Sequence, residues 1–221
     1  MAERRERILA ATCDIVAELG PEGLSMRDLA RRSRVTVPTI YSLIGGRDAV
    51  LFTAIEEQVA RFVNGIEQAP AENAVDRVLA VYESCLQELL SLPRYWRTFL
   101  RVIFTRPSAE AMRARLANAM YVEMSRGVDA LRMTHALADW VEPAALVALL
   151  HRNQTVVTMQ WAAGEFPDAQ LRAAMLYGPC CVLAGACVDH YRKEFSERAT
   201  ALQPYVVASF ARRSERRRKR E

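Results

Sequence analysis

The segment SMRDLARRSRVTVPTIYSLIGGR, residues 25–47, reads as two very short helices around a tight turn. Ser25 with Asp28 three residues on is a capping-box start, and the helix it opens runs only to about Ser33. Thr36 is placed to cap the next helix, with Pro38 inside its first turn, where a missing N–H costs nothing. Gly45-Gly46 ends that helix. Ala30 supplies the small residue needed where two such helices cross, and Leu29, Val35, Ile40 and Ile44 supply the apolar lock. This is a helix-turn-helix pattern, whose second helix keeps a free face that can enter a DNA major groove. A plain helical bundle would open the chain in a similar way. It would leave unexplained the short capped helices and the charge here, five arginines (27, 31, 32, 34, 47) against Asp28, or +4.

Working outward, Ile8, Thr12, Ile15 or Val16, and Leu19 recur at helical spacing until Gly20-Pro21 stops that helix. A longer helix starts near Arg47 and carries Val50, Leu51, Ala54, Ile55, Val59 and Phe62. Residues 7–51, RILAATCDIVAELGPEGLSMRDLARRSRVTVPTIYSLIGGRDAVL, thereby resemble the DNA-binding region of the tetracycline-repressor (TetR) family. The resemblance rests on the opening RILAA helix, Gly23, Leu29-Ala30, Val35 and Thr36 at the turn, Pro38-Thr39-Ile40-Tyr41, and Arg47 opening the fourth helix. It implies an all-α homodimer. An N-terminal three-helix helix-turn-helix domain would bind double-stranded operator DNA. A larger C-terminal helical domain would hold a small-molecule effector and the dimer interface. The expected division is 1–50, 51–211 and a basic tail at 212–221. Beyond residue 51 the likeness is only of length and helix order.

Three positions depart from the family pattern. Arg34 stands at a turn position usually held by Gly, Ile44 replaces the usual aromatic, and Arg47 replaces the usual Lys. The first calls for a strained left-handed residue or a reshaped turn. The last keeps the cation and adds a planar fork suited to phosphate. Tyr41 is the best phosphate hydrogen-bonding candidate on the reading helix, although its ring is also suited to core packing. Arg47, at a helix N-terminus, is placed to meet phosphate. Arg27 should cross the DNA backbone or reach a base edge, and Thr36 should cap its helix and can also face DNA. Val37, Pro38, Ser42 and Leu43 are the expected exposed reading residues. With Thr39 these complete the DNA-binding set. They are poor in donors, so readout should rely on apolar contact and DNA shape, with specificity coming from a palindrome bound by a two-fold dimer.

The remaining 170 or so residues carry less specific signals. The chain has 221 residues, 51% hydrophobic and 25% charged, with net charge +4. Seven basic residues lie in 212–220 (RRSERRRKR), either adding phosphate contacts or forming a solvated end. No apolar run is long enough to span a bilayer, and no secretory signal is visible at the N-terminus. The five cysteines, 13, 85, 180, 181 and 187, are odd in number and fit reduced thiols in a cytoplasmic protein.

Helical patterns continue throughout, about nine or ten helices in all. Asp168 is expected to cap a helix running to about Phe195, and a last helix covers about Glu197 to Arg212. A greasy effector cavity is expected from Tyr82, Trp96, Phe99, Ile103, Met120 and Met124, with His151 and Gln154 as polar points on an apolar helix. A two-helix self-association surface is expected from Leu150, Val157, Trp161, Gly178, Cys181, Gly185 and Val188. The leading expectation is a dimeric repressor, released from a palindromic operator by a small, largely apolar effector. The alternative is a helical small-molecule-binding protein, or a thiol or metal sensor using the Cys180–His190 segment, without catalysis. No catalytic or dinucleotide fingerprint occurs, so neither an enzyme nor a cofactor or resident metal is expected.

Overall fold

The computed structural model describes residues 2–67 and 73–218, except the side chains of 66–67 and 208–218. Among the described residues there are ten α-helices and no strand. The first four are α1 (Ala2–Leu19), α2 (Met26–Ser33), α3 (Val37–Leu43) and α4 (Arg47–Glu67). Then follow α5 (Ala74–Ser91), α6 (Pro93–Thr105), α7 (Glu110–Met133), α8 (Pro143–Ala162), α9 (Asp168–Ala186) and α10 (Asp189–Arg218). Single 3-10 turns, Pro21–Gly23 and Pro107–Ala109, lead into α2 and α7. No described helix is long and apolar enough to cross a membrane.

The front of the molecule folds as the local sequence dictates. Gly20, at φ 75°, and Pro21 turn the chain out of α1. Thr36 accepts a hydrogen bond from the Thr39 N–H and caps α3, and Pro38 sits in the first turn. Gly45, at φ 126°, releases the chain from α3. Ile8, Ile15, Leu29, Ala30 and Ile40 are buried where α1, α2 and α3 meet. Arg34 takes the left-handed conformation directly, φ 55° and ψ 44°, and its N–H closes α2. Behind this head, α4 packs on α1, α5 and α7, and α1 also packs on α6.

Several local expectations are corrected. Ser25 occupies the N-cap of α2 but makes no side-chain capping bond, and the Asp28 carboxylate is held by Arg31 and Arg32 rather than turned back to Ser25. Pro167, not Asp168, is the N-cap of α9, and the Asp168 carboxylate accepts from Arg97 and Trp161. The helix expected over 168–195 is two helices. Here the α7–α8 connection runs beside the chain: Ala138 N–H donates to the Ala186 carbonyl and Val188 N–H to that of Ala136. Asp189, at φ 50°, then starts α10. That last helix begins earlier than Glu197 and continues past Arg212. Side chains of the basic run 212–220, and Lys219 and Arg220 altogether, lie outside the described residues.

Candidate nucleic-acid interface and central cavity

The outward face of α3 is small and mostly uncharged. Pro38, Tyr41 and Ser42 are exposed on one side, with Thr36 exposed just before them and Thr39 half-buried. Tyr41 is 56% exposed, so its ring is not a core residue; Ile40 beside it fills that role. Val37 and Leu43, expected to be exposed, are instead half-buried and packed against the core. An eight-residue helix and a seven-residue helix are too short to be held by their own hydrogen bonds, so these apolar ends anchor them.

Cations frame this face. Arg27 and Arg34 are exposed and have no carboxylate partner among the described residues. Arg31 pairs with Asp28, and Arg32 pairs with both Asp28 and Glu18, so these two are partly neutralised. Arg47 is engaged elsewhere than expected. Its Nε donates to the Leu24 carbonyl at 2.9 Å and an Nη donates to that of Pro21, tying the start of α4 to the α1–α2 connection.

Toward the far end of the same α4, Phe62 lines an internal cavity of about 230 Å³. The wall also takes in Cys85 and Leu89 of α5, Trp96, Leu100 and Phe104 of α6, Arg113, Leu116, Ala117 and Met120 of α7, and His151, Gln154, Thr155 and Thr158 of α8. Of the residues expected there, Trp96, Met120, His151 and Gln154 lie on this wall. Tyr82, Phe99, Ile103 and Met124 do not; all four are fully buried in packing between helices. Tyr82 spends its hydroxyl on the Leu150 carbonyl. A signal for the missed residues was present: His151, Gln154, Thr155 and Thr158 form a polar stripe at i, i+3, i+4 and i+7 on an otherwise apolar helix.

Polar groups around the cavity are only partly satisfied. Gln154 Nε2 donates to Thr158 Oγ1 at 3.0 Å and approaches Cys85 Sγ. The Trp96 indole N–H is buried with no acceptor among the described residues. Burial lowers the His151 pKa and favours its neutral form. Burial pushes the Cys85 thiol up to about 12. One step from the wall, Cys13 of α1 donates to the Tyr95 hydroxyl at 3.3 Å, and Gln58 of α4 reaches the same sulfur. Head, linking helix and cavity wall therefore share contacts.

The expected self-association residues divide. Leu150, Val157 and Trp161 are buried inside the protomer, and Arg97 lies over the Trp161 ring, so these three cannot form an outer surface. Gly178 faces α8, where an added Cβ would strike Asn153 at 2.7 Å. Cys181 and Gly185 are exposed and Val188 half-exposed. The outer apolar face of α8 is instead Ala145, Leu149, Val156 and Met159, interrupted by exposed Arg152. The sensor alternative gains no geometry. Cys187 is buried beside Leu137, His190 is exposed against Tyr191, and burial pushes Cys180 and Cys187 each up to about 11. Among the described residues no three His, Cys, Asp or Glu side chains gather.

Comparison with known proteins places this geometry. Residues 8–52 match the family described as bacterial regulatory proteins, tetR family. A repressor of that family, the HTH-type transcriptional repressor KstR of Rhodococcus jostii, is 25% identical over 162 residues, 69% of this chain and 76% of that protein. Over residues 8–52, the head of the molecule, the chain is similar to the TetR family. The fold extends the likeness past the head. A TetR transcription regulator from Haloarcula marismortui superposes with TM-score 0.74 at 14% identity, covering 85% of this chain and 100% of that one. SmeT, the repressor of the Stenotrophomonas maltophilia multidrug efflux pump SmeDEF, superposes with TM-score 0.66 at 19% identity, covering 85% and 92%. These likenesses are to DNA-binding transcription regulators.

Proposed function

We propose that this regulator is a repressor, that it works as a two-fold dimer on a palindromic operator, and that a small, largely apolar molecule in the central cavity releases it. The observation that carries the reading is the span of α4. One helix ties the head through Arg47 and walls the cavity through Phe62. A ligand that displaces Phe62 tilts the helix on which the head is hung. Such couplings are worth about 1–3 kcal/mol, or roughly 5–150-fold in operator affinity.

In this reading residues 1–50 are the reading head and 51–211 the effector and dimer body, and the boundary falls inside α4. The DNA-facing set is Arg27, Thr36, Pro38, Thr39, Tyr41 and Ser42, with Arg34 added as a phosphate contact. Arg47 acts as the strut between head and body. Dimerisation uses the exposed apolar stripe of α8 with Cys181 and Gly185 of α9. A reading helix this poor in donors supports the need for two half-sites. Selection of bound fragments from the source genome, followed by DNA retention with and without Tyr41→Ala, tests the proposal. It is overturned if the wild type retains no fragment selectively.

A further inference from the structure

We propose that the cavity takes a small apolar carboxylate, its hydrocarbon body among the α5, α6 and α7 side chains and its carboxylate at Arg113. The inference rests on the effector reading above and names the chemical class of that effector. Among the described residues, Arg113 is the one lining residue that carries a permanent charge. Its Nη1 donates to the carbonyls of Ile103 at 2.6 Å and Arg106 at 2.8 Å, at the end of α6. Those acceptors are neutral. No carboxylate pairs with Arg113 among the described residues, and its Nε and second Nη have no acceptor in the protein there.

The carbonyls at the end of α6 take up one guanidinium nitrogen only, and the edge left over is open to solvent, so an anion can replace water there beside the apolar space. An anion with two coplanar oxygens fits that edge best, because the guanidinium offers a fork of matching geometry. The neighbouring imidazole, His151, leans to its neutral form and adds no second cation. Phe62, Trp96, Leu100 and Met120 make the remainder of the wall a place for hydrocarbon. At about 230 Å³ the space is below the roughly 300–1,000 Å³ usual for drug-sized ligands. It suits a single ring or a short acyl chain. The polar stripe of α8 and the unpartnered Trp96 N–H offer hydrogen bonds to a substituent on that body.

Calorimetric titration of the full chain with 3-phenylpropanoate, hexanoate and octanoate, each against its primary amide, tests the assignment. At least one acid should bind about tenfold or more tightly than its amide. Arg113→Gln should erase that preference, and Arg113→Lys should retain part of it. Arg113 also holds two helix-end carbonyls, so the acid–amide comparison in the unmutated protein serves as the readout that a purely structural arginine would not move. Amides that bind as well as their acids, or no binding by either series at millimolar concentration, would overturn the proposal. Acid binding that leaves DNA retention unchanged would uphold the site and count against effector release. Selective DNA binding without any ligand is measured separately, so the two readings fail in distinguishable ways.

Discussion

At Gly127 a single added methyl group would meet the Cα of Val78 at 2.5 Å, an atom of the opposing backbone. Alanine has the better helix propensity by roughly 1 kcal/mol, but a clash with backbone cannot relax by a rotamer change. Gly127→Ala is therefore expected to destabilise the fold by about 1–3 kcal/mol in urea unfolding. Asp168 illustrates the opposite case, a polar residue that holds elements together. Burial raises its pKa, but hydrogen bonds from Arg97 and Trp161 more than offset this and hold it below the usual carboxylate range. A depressed acid contributes stability above its unfolded pKa of about 3.9 and loses it as pH falls through the folded value. Asp168→Asn should thus cost about 1 kcal/mol at neutral pH, given that the group is partly exposed, and the difference from wild type should fade below about pH 4. On the reading face, Tyr41→Ala should weaken DNA retention about tenfold while leaving the melting temperature nearly unchanged, because the ring is already in solvent.

Helices differ in how far their sequences announce their surroundings. The α3 helix was legible: the Thr36 cap and Pro38 fix its start, and only Ile40 is fully buried. Reading which residues of α3 face outward was less secure, because Val37 and Leu43 have no apolar repeat long enough to fix a face. The α8 helix is apolar on two sides, and hydrophobicity cannot say which side meets its own protomer. Residues 150 and 157 turned inward and 149 and 156 outward, a shift of one position and about 100° around the axis. The cavity was half legible for a related reason. Aromatic and Met side chains pack equally well around a void or in a solid core, whereas the polar stripe beginning at His151 marks a surface that something must face. Arg113 gave no sequence signal, since an arginine on α7 looks solvated until the end of α6 is seen over it. The break after Ala186 was invisible because its cause is a distant segment, 135–138. If the outer stripe of α8 is the self-association surface, Val156→Glu should convert a dimer to a folded monomer in sedimentation velocity, since two carboxylates would be brought together in an apolar seam.

At the scale of the whole molecule, a donor-poor reading face, a cavity and an outer apolar stripe lie on one continuous set of helices. Each is weak alone. One head with few base-edge donors has little selectivity, a cavity without a link to the head does nothing, and a stripe of four apolar residues is modest. In the proposed dimer their combination would give a two-headed reader whose spacing a ligand alters, and duplication of the head would make up for its limited chemistry. The most direct measurement is footprinting of the wild-type protein on a fragment selected from its own genome, with the oligomeric state measured in the same buffer. The account predicts a dimer protecting two symmetry-related half-sites, about one helical turn or a multiple of it apart, with both protections lost in Tyr41→Ala. A monomer in solution, or a single unsymmetrical protection indifferent to Tyr41, would contradict it.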